Sequence, residues 1–237
     1  MTDCALREWE SLLEHFEALA TPQGTARMLR WAWENFAPQV VLSSSFQTQS
    51  LPLLHLVSRT CPQMPVLFID TGFHFPETLA FRDEVARKLG LNLVIVRPLL
   101  DRETLLARYG DDLPRRDPDL CCRLNKVEPM RRALRGMAAW LSGVRRDQTS
   151  HRRKLRVLEC QPDGLLRIHP MLNWTAEAVE RYRQRYHLPA HPLHERGYLS
   201  IGCQPCTKPA FVARPRSGRW DGRREECGLH LPWEEEP

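Results

Sequence analysis

No stretch of the 237-residue chain is apolar for long enough to cross a bilayer. That task needs about 20 consecutive residues, so a membrane partner is not expected. Internal repeats and low-complexity tracts are also missing, which removes solenoids, propellers and long flexible linkers. There is no G-x-x-x-x-G-K-S/T segment, and hence no Walker A lysine to grip a β- or γ-phosphate. The opening MTDCALREWE carries Asp3, Glu8 and Glu10, an acidic start unlike a secretory or transit peptide. The expected compartment is therefore the cytoplasm.

What is present is an ordinary globular composition, 42% hydrophobic and 27% charged, enough to bury one good core. The net charge of +5 is unevenly placed, with much of the excess in HRRKLR (151–156) and RPRSGRWDGRR (214–224). Such stretches suit small anionic substrates as well as nucleic acid. Eight cysteines are present in a chain expected to keep its thiols reduced. Cys4, Cys61 and Cys160 are scattered and read as structural thiols. Cys227 lies ten residues from the end, in the charge-crowded RREECGLH. That is a poor place for a core thiol and a suitable one for a thiol that must reach something.

Helices are expected over about 5–20 and 23–36, followed by QVVLS as a short buried strand. SLPLLHLVSRT reads as a helix that tolerates Pro52 in its first turn. PVLFID (65–70) is a second strand, and PETLAFRDEVARKLG a helix stopped by Gly90. LNLVIVRP (91–98), AAWLSG (138–143) and GLLRIHP (164–170) supply three more strands, and TAEAVERYRQRYH a helix capped by Thr175. Strands alternating with helices of this length give parallel βαβ units, an α/β fold with a doubly wound sheet. The expected organisation is N-terminal helices over 1–37, one α/β domain over 38–206, and an extended C-terminal arm over 207–237.

Four constellations carry chemistry. SSSFQTQS (43–50) joins a strand to a helix, where free N–H groups favour an anion and Ser43, Ser44 and Ser45 add hydroxyl donors; a serine-rich turn also serves as plain capping. In FIDTGFHFPET (68–78), Asp70, Thr71 and Gly72 end the next strand, as turn punctuation or as a nucleotide contact. CCRLNKVEP (121–129) and GCQPCT (202–207) together offer Cys121, Cys122, Cys203 and Cys206 as a tetrahedral thiolate set, for zinc or for a 4Fe-4S cluster. Adjacent cysteines suit the usual zinc spacing poorly. Lys126 falls one helical turn past Cys122, within reach of both cluster and substrate. In WLSGVRRDQTSHRRK (140–154), Arg145 and Arg146 follow a strand end and can hold an anion bidentately, unless the run is simply solvated.

SSSF, DTGFHFPET, CCRLNKVEPMRRAL, GVRRDQ, PLHERGYLSIGCQPCT, SGRW and ECGLH occur in one order over residues 40–230. In this the chain resembles the assimilatory sulfonucleotide reductases. The resemblance implies an adenine-nucleotide α-hydrolase-like fold, related to the PP-loop enzymes. It also implies reduction of adenosine 5'-phosphosulfate (APS) to sulfite and AMP, with thioredoxin or a glutaredoxin-like protein as donor. Cys121, Cys122, Cys203 and Cys206 match the cluster ligands, and Lys126, Arg145, Arg216 and Arg219 match basic substrate contacts. Ser43 to Ser45 match the modified phosphate loop, and Cys227 matches the nucleophile. Two departures stand out: Gln47 replaces a common glycine, which puts any left-handed conformation there in doubt, and Glu225 replaces a common threonine. The four ligand cysteines point to APS, whereas the triple serine is spelled like the loop of the branch acting on the 3'-phosphorylated nucleotide (PAPS).

On this reading the terminal thiol attacks the sulfo group, and a thioredoxin thiol later frees sulfite from it. Arg223 and Arg224 favour a thiolate at Cys227 while Glu225 and Glu226 oppose it; His230 either orients the tail or faces solvent. Two rivals are disfavoured. An ATP pyrophosphatase would show glycines and an aspartate that SSSFQTQS lacks, and a zinc-organised nucleic-acid module leaves the tail unexplained. No nucleic-acid partner is expected, and homo-oligomerisation stays open.

Overall fold

The computed structural model describes residues 3–210, 216–222, 224, 226 and 228–230. Helices α1 (Asp3–Leu19) and α2 (Thr25–Phe36) precede β1 (Val40–Ser43), α3 (Leu51–Thr60), β2 (Pro65–Ile69), α4 (Pro76–Leu89) and β3 (Asn92–Val96). Short helices α5 (Arg102–Tyr109), α6 (Leu113–Arg116) and α7 (Pro118–Cys122) lead through a π-turn at Arg123–Val127 into α8 (Glu128–Leu134). Strands β4 (Ala139–Ser142), β5 (Leu158–Cys160) and β6 (Leu166–Ile168) and helix α9 (Ala176–Arg185) follow.

The sheet runs β3-β2-β1-β4-β6-β5, parallel throughout except where β5 pairs antiparallel with β6. Alternation along the strands decides which helices each face takes. Val40, Leu42, Val66, Phe68, Leu141 and Ile168 join the large core shared with Met28, Leu54 and Trp174. Val41, Leu67 and Trp140 point the other way, onto Met130 and Leu134 of α8. Helices on both faces of a parallel sheet are the expected doubly wound arrangement. The strand sequence reading did not anticipate is β5. Its three residues, Leu-Glu-Cys, are too few to show a period, and only pairing with β6 makes them a strand.

Helix ends follow the residue chemistry. Gly90 ends α4 with φ 61°, left-handed backbone that glycine adopts without strain. Thr175 caps α9 by accepting from the Ala178 N–H at 3.1 Å. The serine loop after β1 is instead secured from outside by the fully buried His191. Its N–H donates to Thr48 Oγ1 at 3.0 Å, its Nδ1 accepts from the Leu193 N–H at 3.1 Å, and its Nε2 meets Thr78 Oγ1 at 3.0 Å. That pattern requires the neutral ring with its proton on Nε2.

Burial pushes the His191 pKa down from 6.5 to about 4. The unfolded chain therefore takes up this proton first, and the stability tied to the neutral ring is complete above pH 6.5 and lost as pH falls toward 4. On the order of 3 kcal/mol is at stake. His191→Gln, which cannot titrate, is expected to be less stable at neutral pH but to flatten the acid limb of unfolding free energy against pH. Equal slopes for the two proteins between pH 6.5 and 4 would refute it.

Candidate active site

Strand order reverses direction between β1 and β4, and in open parallel sheets ligands bind beyond the strand carboxyl ends at such a point. A cavity of about 700 Å³ opens there, walled by the ends of β1 (Ser43), β2 (Ile69) and β4 (Ser142). Among the described residues, Lys126, Arg145, Arg152, Arg216, Arg219 and Arg224 line it against one carboxylate, Asp147. That imbalance makes it a site for a small, multiply charged anion.

Ser43, Ser44 and Ser45 all reach the cavity wall. Their hydroxyls already have internal work: Ser43 Oγ accepts from Trp140 Nε1 at 2.8 Å, Ser44 Oγ from the Phe46 N–H at 3.1 Å, and Ser45 Oγ from Gln47 Nε2 at 3.1 Å. Positive φ occurs in this loop, but at Phe46 (φ 52°) and not at Gln47, whose φ of −74° is ordinary. An aromatic residue in that region is strained; its ring is fully buried and packs edge-on against Phe68. Gln47 has a different task. Its Oε1 accepts from the Ile201 N–H at 2.9 Å, tying the serine loop to the stretch before Cys203.

The Asp70-Thr71-Gly72 turn lies behind the cavity wall. Thr71 is buried with Oγ1 3.3 Å from Cys203 Sγ, and Asp70 accepts from the Gly72 N–H at 3.2 Å. Gly72 adopts φ 72° beside Arg102. Asp70, Thr71 and Gly72 are expected as nucleotide contacts; none of them lines the cavity, and Thr71 supports the cysteine loop, as does Gln204 N–H donating to the Phe73 carbonyl at 2.7 Å. His74, which sequence reading passed over, does reach the cavity; it bonds the Ile69 carbonyl through Nε2 at 2.8 Å.

Cys121, Cys203 and Cys206 meet in one apolar cluster with Phe73, Leu105 and Leu113, and Cys122 is buried beside them in sequence. Burial, then the neighbouring Cys203 and Cys206, push the Cys121 thiol up to about 11, and burial also raises Cys206. Asn125 Nδ2 donates to the Cys121 carbonyl at 2.9 Å and lies 3.6 Å from its sulfur. Cys121 and Cys122 end α7 where the π-turn begins, and that turn directs Lys126 into the cavity. π-turns often mark functional positions. Among the described residues, no three His, Cys, Asp or Glu side chains are placed to hold a single metal ion.

The two adjacent arginines part company. Arg145 lines the cavity and is held by Gln49 Oε1 at 2.8 Å and by Asp147 at 3.0 Å. Arg146, expected beside it, turns away to Glu17 (2.9 Å), the Leu155 carbonyl (3.0 Å) and Asn173. A substrate contact at Arg146 is corrected to a brace between α1 and the loop after β4. Arg152, in the HRRKLR run and not singled out in the sequence, is buried and lines the cavity.

Arg216 and Arg219 come from beyond residue 207, where sequence reading placed an extended arm. Residues 216–219 instead fold back: Thr207 bridges Arg219 antiparallel, and Lys208 N–H donates to the Gly218 carbonyl at 2.8 Å. The Arg219 guanidinium rests directly on Gly202, where a β-carbon would fall 2.2 Å from Nη2. Gly202→Ala is therefore expected to displace Arg219 and weaken AMP binding by about 10-fold or more, the worth of a charge-assisted hydrogen bond. Calorimetric titration checks it, and unchanged affinity would show that Arg219 does not grip the ligand. Cys227 lies outside the described residues. His230 closes the short helical turn Gly228–His230.

Comparison with known proteins identifies the family. The profile of the phosphoadenosine phosphosulfate reductase domain matches residues 39–209. An adenosine 5'-phosphosulfate reductase of Geobacillus kaustophilus is 41% identical, over 88% of this chain and 91% of its own. A phosphoadenosine 5'-phosphosulfate reductase of Thiocapsa roseopersicina is 42% identical, over 96% and 94%. The crystal structure of a phosphoadenylyl-sulfate reductase from Candida auris superposes with a TM-score of 0.69 at 32% identity, covering 82% of this chain and 97% of that one. With a strand order, a cationic cavity and relatives that all agree, the chain belongs to the phosphoadenosine phosphosulfate reductase domain family, the sulfonucleotide reductases.

Proposed function

We propose that the chain reduces adenosine 5'-phosphosulfate to sulfite and AMP at the expense of a thioredoxin-class dithiol. The observation that carries this is the cavity at the β1/β4 switch, where Lys126, Arg145, Arg216 and Arg219 converge and which Arg224 and Leu229 also line. Several relatives named for APS reduction, at 37–41% identity, support the choice of nucleotide.

Lys126 and the three arginines balance the charge of the phosphosulfate and of the leaving AMP. The Cys227 thiolate attacks the sulfo sulfur. The bond from sulfur to the bridging oxygen breaks, AMP leaves with that oxygen and its electron pair, and Cys227 carries an S-sulfo group. A thiolate of the donor then attacks Cys227 Sγ and sulfite departs with the bonding pair. The donor's second thiol resolves the mixed disulfide, returning Cys227 and leaving the donor oxidised.

Buried Cys121, Cys122 and Cys203 and half-buried Cys206 suit a 4Fe-4S cluster. Cys121 and Cys206, pushed up by burial and by neighbouring thiols, ionise most readily beside concentrated positive charge. Adjacent Cys121 and Cys122 fit the usual zinc spacing poorly, which favours a cluster over zinc. When bound, such a cluster supplies a charged, rigid tie between α7 and the Gln204–Cys206 turn. This chain's own residues carry out the sulfo transfer, with Lys126 and Arg219 held at the two sides of that tie.

The Thiocapsa relative and the triple-serine loop favour a second reading, in which the 3'-phosphorylated nucleotide is also accepted. Sulfite release from each nucleotide, compared by kcat/KM with thioredoxin present, tests the assignment. The expected result is a preference for the nucleotide without the 3'-phosphate; a large preference for the other overturns it.

A further inference from the structure

Glu226 stands next to the nucleophile in sequence, yet its side chain is only 4% exposed. Its carboxylate accepts from Arg152 Nε at 2.6 Å and Nη2 at 2.8 Å, a two-point grip, and from Thr149 Oγ1 at 2.6 Å. Arg216 Nη2 lies 3.7 Å from the same group. Thr149, Arg152 and Arg216 all line the cavity. The Glu226 carbonyl accepts from Arg224 Nε at 3.0 Å, and Arg224 is itself held by Asp119 at 2.7 Å.

The chain just past Cys227 is seated as well. Gly228 comes so close to the π-turn that a β-carbon there would lie 3.2 Å from Val127 Cγ2, next to Lys126. Leu229 lines the cavity and packs on the cluster of Val41, Leu67 and Met130. The residues before and after the nucleophile are thus both anchored on the wall of the anion cavity.

We infer that Glu226 is the positioning residue of the terminal arm: gripped by Arg152 and Thr149, it holds the chain that carries Cys227 over the bound sulfo group. This rests on the function proposed above. The partners explain why an acid belongs beside a nucleophile that its charge would otherwise hinder. Because these partners line the cavity, the ion pair fixes Glu226 at the cavity wall.

The test is single-turnover transfer of the sulfo group to Cys227, with the nucleotide present and reductant withheld, followed by intact-protein mass spectrometry. In Glu226→Gln the transfer rate is expected to fall about 10- to 100-fold, the loss of one charge-assisted contact. AMP affinity should hold or tighten, since a negative charge leaves the neighbourhood of Arg152 and Arg216. Glu226→Asp should recover part of the rate. Thr149→Val keeps every charge in place, and a smaller loss in the same direction is expected. A wild-type transfer rate in either Glu226→Gln or Thr149→Val overturns the inference, as does a fall in AMP affinity that matches the fall in rate. Wild-type protein that never gains the sulfo mass removes the proposed function itself, and this inference with it.

Discussion

Cys227→Ser is expected to stop sulfite release while leaving AMP bound as tightly as before. A hydroxyl at neutral pH offers almost no oxyanion, whereas a thiolate is both available and strongly nucleophilic. Loss of a covalent nucleophile therefore costs at least about 10³-fold in turnover. Binding should survive because the cations that make the cavity, Lys126, Arg145, Arg216 and Arg219, lie elsewhere in the chain. The charges next to Cys227 also favour reaction more than the sequence suggests. Glu226 is not a free negative charge: Arg152 and Thr149 engage its carboxylate, and Arg216 lies nearby. Sulfite assay and calorimetry on the same preparation decide the matter, and sulfite production by the serine variant would dismiss the covalent mechanism.

Much of this architecture is legible in the residues. Val40 to Leu42 and Val66 to Phe68 are short apolar runs bounded by loops, and runs of that kind are buried on both faces, so the parallel sheet follows. Cysteine spacing groups Cys121, Cys122, Cys203 and Cys206, and the fold brings Cys121, Cys203 and Cys206 into one apolar cluster. Side-chain direction was not legible. Arg145 and Arg146 are identical in type and adjacent, yet the turn after β4 sends one into the cavity and the other to Glu17. Arg152 looked like one charge in a solvated run, and only its pairing with a residue 74 positions away explains its burial. Gln47 looked like a departure that threatened the loop. Its amide instead bonds the Ile201 N–H, and Phe46 takes the left-handed backbone. The π-turn that aims Lys126 has no sequence signal beyond an ordinary helical pattern. Apart from the π-turn, these misses turn on contacts between segments far apart in the chain, which local periodicity does not encode.

Cys203→Ser should also cost activity heavily, though less than loss of the nucleophile and by a different route. Cys203 begins the Gln204–Cys206 turn, and Thr71 Oγ1 lies against its sulfur. The Gly202 backbone on its other side is the floor for Arg219. With a serine in its place, one thiolate of the proposed cluster set is gone, and the hydroxyl is a poor ligand for iron. Iron and acid-labile sulfide should fall well below wild-type content, and the brown absorbance with them. The loops that hold Lys126 and Arg219 then lose their common tie. A displacement of about 1 Å at such groups is enough to lower kcat/KM on the order of 10²-fold. Unlike Cys227→Ser, this variant should also bind AMP more weakly, because the cations themselves have moved. Two results would count against the cluster: wild-type protein that carries one zinc and no iron, or a serine variant that keeps its iron, sulfide and AMP affinity.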